Sequence, residues 1–292
     1  TMNAASMNNS GFEFSATYRN RDRDFKYELS ANLSTLRNRV TSLGFGTDSY
    51  ISGAYITNVG QEIGQFYGWA YEGIARTQED LDNHATQEGA QIGDCLYKDI
   101  SGPDGKPDGK VDANDQVVLG SGMPKIHFGL NARFEYKRFD LSIATFGALN
   151  YHVSDDIYNS LNSCYGWGNK EVGMLDANRF SEDGSTYLSN VPRTYVTNSA
   201  SLGWNDLFSS RKIQNAAYWK IANIELGYNF PDKWFDKYVS DVRFYISAQN
   251  LHTFTGYHGY NVDYAGGTFT PGYNFCSYPT ARTFMCGVHF TF

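Results

Sequence analysis

What the chain lacks narrows its class first. No stretch of the 292 residues approaches the roughly 18 consecutive apolar residues of a membrane-spanning helix, which excludes a helical membrane protein. The same absence says nothing against a transmembrane β-barrel, whose strands alternate lipid-facing and lumen-facing side chains. Basic residues are scattered and outnumbered, 24 against 31 acids, so the clustered basic face that nucleic acid requires is missing. The opening residues, Thr-Met-Asn-Ala-Ala-Ser, lack a basic stretch followed by an apolar core and do not form a secretory leader. A barrel must be exported, so the barrel reading places a leader and further segments upstream of residue 1 and makes this chain a fragment.

Cysteine is also scarce. Cys95, Cys164, Cys276 and Cys286 show no CxxC spacing, which speaks against zinc. Cys286 alternates in step with Phe284 and Val288 and reads as a small apolar filler. Cys95, Cys164 and Cys276 lie in loop-like stretches where an oxidising compartment could pair two of them. No nucleophile with a partnered base emerges, and His84, His127, His152, His252, His258 and His289 share no motif. His127 and His289 fall on polar strand faces, where lining a wet lumen explains them.

Aromatics, by contrast, are plentiful: 22 Tyr and 20 Phe, with 29 Gly, in a chain of negative mean hydropathy. That combination suits strands that are half apolar and half wet. The period of two recurs along the chain. In residues 11 to 20, Phe12, Phe14, Ala16 and Tyr18 oppose Glu13, Ser15, Thr17 and Arg19. In 24 to 34, Phe25, Tyr27, Leu29, Ala31 and Leu33 oppose Lys26, Glu28, Ser30, Asn32 and Ser34, and the charged Asn-Arg-Asp-Arg-Asp joins the two as a hairpin. Residues 126 to 136 and 138 to 149 make a second hairpin across Lys137-Arg138. Further strands are read in 221 to 230, in 241 to 250, and at the terminus, where Phe284, Cys286, Val288, Phe290 and Phe292 share a face. The long polar stretch 150 to 214 reads as an extracellular loop and the short turns as periplasmic. A soluble β-sandwich would show the same alternation. Aromatics near strand ends, short turns alternating with very long loops, and a terminal aromatic in register favour the barrel.

Several stretches taken together carry a resemblance. They are Ile63-Gly-Gln-Phe-Tyr-Gly-Trp-Ala-Tyr-Glu-Gly-Ile74, the acidic segment from Tyr97 to Gly120, and Pro124-Lys-Ile-His-Phe-Gly-Leu-Asn continuing through Phe139-Asp-Leu-Ser-Ile to Asp156-Ile-Tyr-Asn159. The closing ones are Tyr218-Trp-Lys-Ile-Ala-Asn-Ile-Glu-Leu-Gly-Tyr-Asn-Phe-Pro231, Val242 to Gly256, and Tyr278-Pro-Thr-Ala-Arg-Thr-Phe284. In order and spacing across residues 60 to 292 they resemble the SusC/RagA family of TonB-dependent outer-membrane transporters of Bacteroidetes. Asn261-Val-Asp263 and Thr280-Ala281 depart from the family's usual Asp-Pro and Gln-Pro.

The resemblance implies an all-β fold: residues 1 to 292 as the carboxy-terminal part of a transmembrane antiparallel barrel of about 22 strands with a plugged lumen and long extracellular loops. Eight to ten of those strands are counted here; the plug, the amino-terminal strands and the TonB-contacting segment are absent. It further implies a non-enzymatic importer of glycans or peptides in the cell outer membrane, surrounded by its lipid. A SusD-like surface lipoprotein and the TonB complex would be its partners. The rival reading is a soluble, calcium-stabilised glycan-binding β-sandwich.

Three groups of residues are candidates for function. Residues 104 to 115 approximate a calcium loop, with Asp104, Asp108, the Lys110 carbonyl, Asp112 and Asp115 as ligands, although Lys106 stands where an oxygen is wanted. A metal-free Asp/Gly turn explains the same residues and is preferred; calcium, if bound, would be structural. The loop aromatics Tyr165, Trp167, Trp204, Tyr257, Tyr260, Tyr264 and Tyr273, set among Asn and Gly, could stack on an oligosaccharide or contact a peptide. Phe292, in register at the end of the last strand, resembles an assembly signal for outer-membrane barrels.

Overall fold

The computed structural model describes residues 5–164, 169–194, 203–231, 234, 239–263 and 266–291, the side chain of Phe45 excepted. Its frame is one seven-stranded antiparallel sheet: β1 (Glu13–Asn20), β2 (Phe25–Thr35), β3 (Ile126–Tyr136), β4 (Phe139–Leu149), β5 (Tyr218–Asn229), β6 (Asp241–Thr255) and β7 (Thr283–Thr291), paired in chain order. Seven is fewer than the eight to ten expected, because the remaining short strands among the described residues pair outside this sheet. Strands β5 and β6 also run further than the alternation suggested. Ala222 drops out of register on β5, and Asn250 and Leu251 are extra on β6; the bulge restores the facing pattern beyond it.

The register brings side chains of one kind into rows. Phe25, Tyr136, Phe139, Tyr228 and Phe244 are direct cross-strand neighbours on five successive strands, an aromatic row near the short turns. A second row, Phe14, Leu33, Phe128, Gly147, Trp219 and Phe254, crosses the sheet near the other end. Between them lie Leu29, Ala132, Ile143, Ile224 and Ala248, and then Tyr27, Phe134, Leu141, Leu226, Ile246 and Cys286. The two rows stand eight residues apart on β2, about 26 Å along the strand. This face stays open: Phe14 is 62% exposed, Phe139 52% and Phe284 70%. A β-sandwich would bury it under a second sheet, and none lies there among the described residues. The opposite face carries Glu28, Arg133, Ser142, Glu225 and Ser247 in one row, and His127 and His289 point the same way.

Loop lengths separate the two ends. Short connections, 21–24, 137–138 and 230–240, join the strands at the aromatic-row end; loops 36–125, 150–217 and 256–282 leave from the other. The first loop begins as a continuation of its hairpin, with Ala5–Ser10 pairing Arg37–Leu43 beyond a bend at Gly11, where a Cβ would overlap the Thr35 carbonyl. The loop then builds a sheet of its own from Ser49–Ser52, Tyr55–Asn58, Gln65–Trp69 and Gln116–Ser121. The largest fully buried side chains among the described residues, Phe66, Tyr97, Tyr151, Tyr187 and Val153 with them, belong to these loops. The hydrophobic core therefore sits above the sheet, and the sheet itself is a wall with two open faces.

Candidate functional site at the long-loop end

The site is built where the inner face of the wall meets the loops. Tyr218, Lys220 and Ala148 reach that face from β5 and β4; Tyr151 and Val153 follow directly from β4, and Tyr257 and Val262 come from the third loop to complete a buried cluster. Lys220 is 5% exposed, a burial that an ammonium tolerates only with a partner. Its Nζ lies 2.6 Å from Asp263 Oδ2 and 5.7 Å from the centre of the Phe146 ring. The pair holds the third loop against the wall and separates two recesses. One, about 840 Å³, is mainly apolar, with Phe146, Tyr151, Tyr218, Val262 and Met123 around it and His127 at its edge. The other, about 350 Å³, presents Asn250, His252, Tyr260, Asn261 and Arg282.

The loops hold one another through buried carboxylates. Asp155, 4% exposed, accepts from the Tyr257 hydroxyl and from Asn274 Nδ2 at 3.2 Å, while its second oxygen caps the helix Asp156–Leu161 through the Tyr158 N–H at 2.9 Å. Burial, and then the Asp155 carboxylate beside it, push the Tyr257 hydroxyl well above the usual phenol range. Asp94, 1% exposed, is gripped by Arg193, Nε to Oδ1 at 2.5 Å and Nη2 to Oδ2 at 2.9 Å, and by Asn205 Nδ2 at 2.7 Å.

The predicted ligand aromatics divide. Tyr260 is 67% exposed at the polar recess. Tyr257 is 6% exposed with its hydroxyl engaged, which makes it a packing residue and withdraws it from ligand contact. Trp204 packs on the cluster of Cys95, Tyr97 and Val111 and donates its indole N–H to the Glu88 carbonyl at 2.8 Å. Tyr273 pairs beside Ser154 and stacks on Phe275 at 6.5 Å. Tyr165, Trp167, Tyr264 and Phe292 lie outside the described residues.

The acidic segment is folded on itself. Asp115 is fully buried and accepts three backbone N–H groups, from Ile100 at 2.7 Å, Ser101 at 3.0 Å and Asp112 at 2.8 Å. Burial alone would raise its pKa; the three donors outweigh it and hold the carboxyl below the usual range. Asp112 accepts from Asn114 N at 2.7 Å and Asp108 from Lys110 N at 3.0 Å, while Asp104 stands in the exposed turn. Among the described residues no three or more His, Cys, Asp or Glu side chains converge as a metal site. The four cysteines are free. Burial pushes the Cys95 thiol up to about 12 and Cys164 up to about 11, so these two are inert fillers.

The wall and its loops can now be set beside known proteins. No family model matches the chain. It is 28% identical to TonB-dependent receptor P3 of Formosa agariphila over 99% of its own length and 29% of that protein, and 25% identical to TonB-dependent receptor SusC of Bacteroides thetaiotaomicron over 100% and 27%. The chain is a relative of the SusC-like TonB-dependent receptors. Its fold agrees with the structure of the RagAB peptide transporter, with a TM-score of 0.77 at 21% identity, over 99% of this chain and 30% of that one. A second structure, of the RagAB peptide importer in a closed-closed state, gives 0.75 at 22%. The chain thus spans about a third or less of the relatives it matches.

Sequence reasoning missed these ties: Asp94 to Arg193, Asp155 to Tyr257 and Asn274, Lys220 to Asp263. Their partners stand tens of residues apart, and no local pattern carries such pairs. One clue was available, a lysine placed between Trp219 and Ile221 on the inward face of a strand.

Proposed function

We propose that this chain is the carboxy-terminal part of the wall and long-loop end of an outer-membrane TonB-dependent importer, with plug and TonB-contacting segment contributed by sequence outside it. The observation that carries the reading is the open apolar face bounded by two aromatic rows. An area of that kind is stable against hydrocarbon and a liability in water. The polar opposite face then lines the lumen, the short turns face the periplasm, and the long loops face outward, toward a SusD-like lipoprotein.

The ligand is a glycan or a peptide, met at the two recesses beside Lys220 and Asp263. Tyr260 offers an aromatic face, Asn250, Asn261 and Arg282 offer donors, and the larger recess accommodates apolar groups. The chemistry is transport, with no catalytic step. The test uses the full-length protein. It should be recovered from outer membranes only with detergent, and uptake of labelled oligosaccharide or peptide should cease when TonB is removed. Recovery from the soluble fraction without detergent would overturn the proposal.

A further inference from the structure

The three long loops belong to different hairpins, and loops that acted independently would satisfy their buried polar groups internally. Here the partners are exchanged. Asp94 of the first loop is held by Arg193 and Asn205 of the second. Asp155 of the second is held by Tyr257 and Asn274 of the third. Asp263 of the third is held by Lys220 of the wall.

Backbone contacts run along the same line. Arg193 N donates to the Gly93 carbonyl at 2.8 Å, and Tyr187 N to the Arg76 carbonyl at 2.7 Å. Ser154 and Asp155 pair in parallel with Tyr273 and Asn274. The third loop also lies directly on the first: at Gly64 and at Gly122 a Cβ would overlap Pro271. A loop that lifted alone would break these charge-assisted hydrogen bonds together with the packing around them. Motions that keep these groups paired carry all three loops together.

We infer that the three loops form one cap that keeps its shape throughout transport, so that none of the three opens as a gate on its own. The inference rests on the import reading. Independent outer gates are common where loops close over a ligand, and they are drawn from segments of low local stability; these loops contain the largest fully buried side chains among the described residues.

Two measurements on the full-length transporter test it. Ser154→Cys with Tyr273→Cys places thiols on neighbouring strands and locks the second loop to the third when oxidised. Import by the oxidised variant should equal import by the same variant after reduction; a block on oxidation that reductant relieves overturns the inference. In hydrogen exchange, Asp155→Asn should speed exchange at Gly93–Tyr97 of the first loop, which Asp155 does not touch. Faster exchange confined to the second and third loops would show separable loops and overturn the single cap. Absence of import by the wild-type protein would count against the import reading, and the exchange result would still decide whether the cap is one body.

Discussion

Arg243 on β6 grips Asp140 on β4 across a strand that belongs to neither of them. Its Nε lies 3.0 Å and its Nη2 2.5 Å from the two carboxylate oxygens, and Nη2 also reaches Glu225 Oε1 at 2.8 Å. The bridge passes over Gly227 of β5, which stands in register between Asp140 and Tyr245. A Cβ at Gly227 would overlap both the guanidinium and the carboxylate. The glycine therefore serves a close approach of side chains on the inner face, and its presence mid-strand follows from the ion pair.

Gly227→Ala should displace the Arg243 guanidinium and destabilise the wall by about 1 kcal/mol, the low end for added volume, because the atoms it meets are the ends of flexible side chains. The check is the temperature at which the full-length barrel loses its heat-modifiable gel mobility. In an Arg243→Ala background the same substitution should cost much less. An undiminished cost there would place the clash with the backbone.

Asp115→Asn should lower stability by about 1–3 kcal/mol, because one oxygen that accepts backbone N–H groups becomes a donor. The depressed folded-state pKa sets the sign with pH. The carboxylate contributes fully above its unfolded pKa near 4, and the contribution disappears as pH falls through the lower folded value. Thermal melts in calcium and in chelator separate the two readings of this segment. Equal loss in both supports the self-capped turn; stabilisation by calcium that Asp108→Ala abolishes would establish a metal.

Much of the wall was legible because period-two alternation is local and the rows of aromatics follow from it. The cap was not. Its short strands, such as Tyr55–Asn58 and Gln65–Trp69, are fixed by contacts with segments far along the chain, as when Trp69 N donates to the Phe208 carbonyl. Tyr257 looked like a ligand platform because a tyrosine among Gly and His is polar in sequence; it is buried among Tyr151, Val153 and Tyr218, and its hydroxyl is held by Asp155, 102 positions away. The acidic segment looked like a metal loop because its carboxylates are closely spaced, yet Asp108, Asp112 and Asp115 answer backbone donors of the same turn.

Asp263→Leu should cost about 3–5 kcal/mol, since it leaves the buried Lys220 ammonium without its anion. Lys220→Met with Asp263→Leu should recover most of that loss, because an apolar pair of similar volume suits the surroundings of Phe146 and Val262. Chemical denaturation of the refolded full-length barrel gives both numbers. A double variant as unstable as the single one would mean that the loss does not come from the unpaired ammonium.

Neighbouring positions on β5 offer the most direct test of which face meets lipid. Ile224 occupies the middle of the apolar face, between Ile143 on β4 and Ala248 on β6, while Asn223 is its neighbour on the opposite face. In a bilayer, Ile224→Arg puts a guanidinium near the midplane and should cost about 2–4 kcal/mol, whereas Asn223→Arg places the same charge toward a wet lumen and should cost little. In water the ranking would change, because a half-exposed isoleucine replaced by a long, well-hydrated side chain loses little. Folding titrations in lipid vesicles read the difference between the two variants. Equal, small effects at both positions would mean that the apolar face does not meet hydrocarbon, and the membrane-wall reading would fall with it.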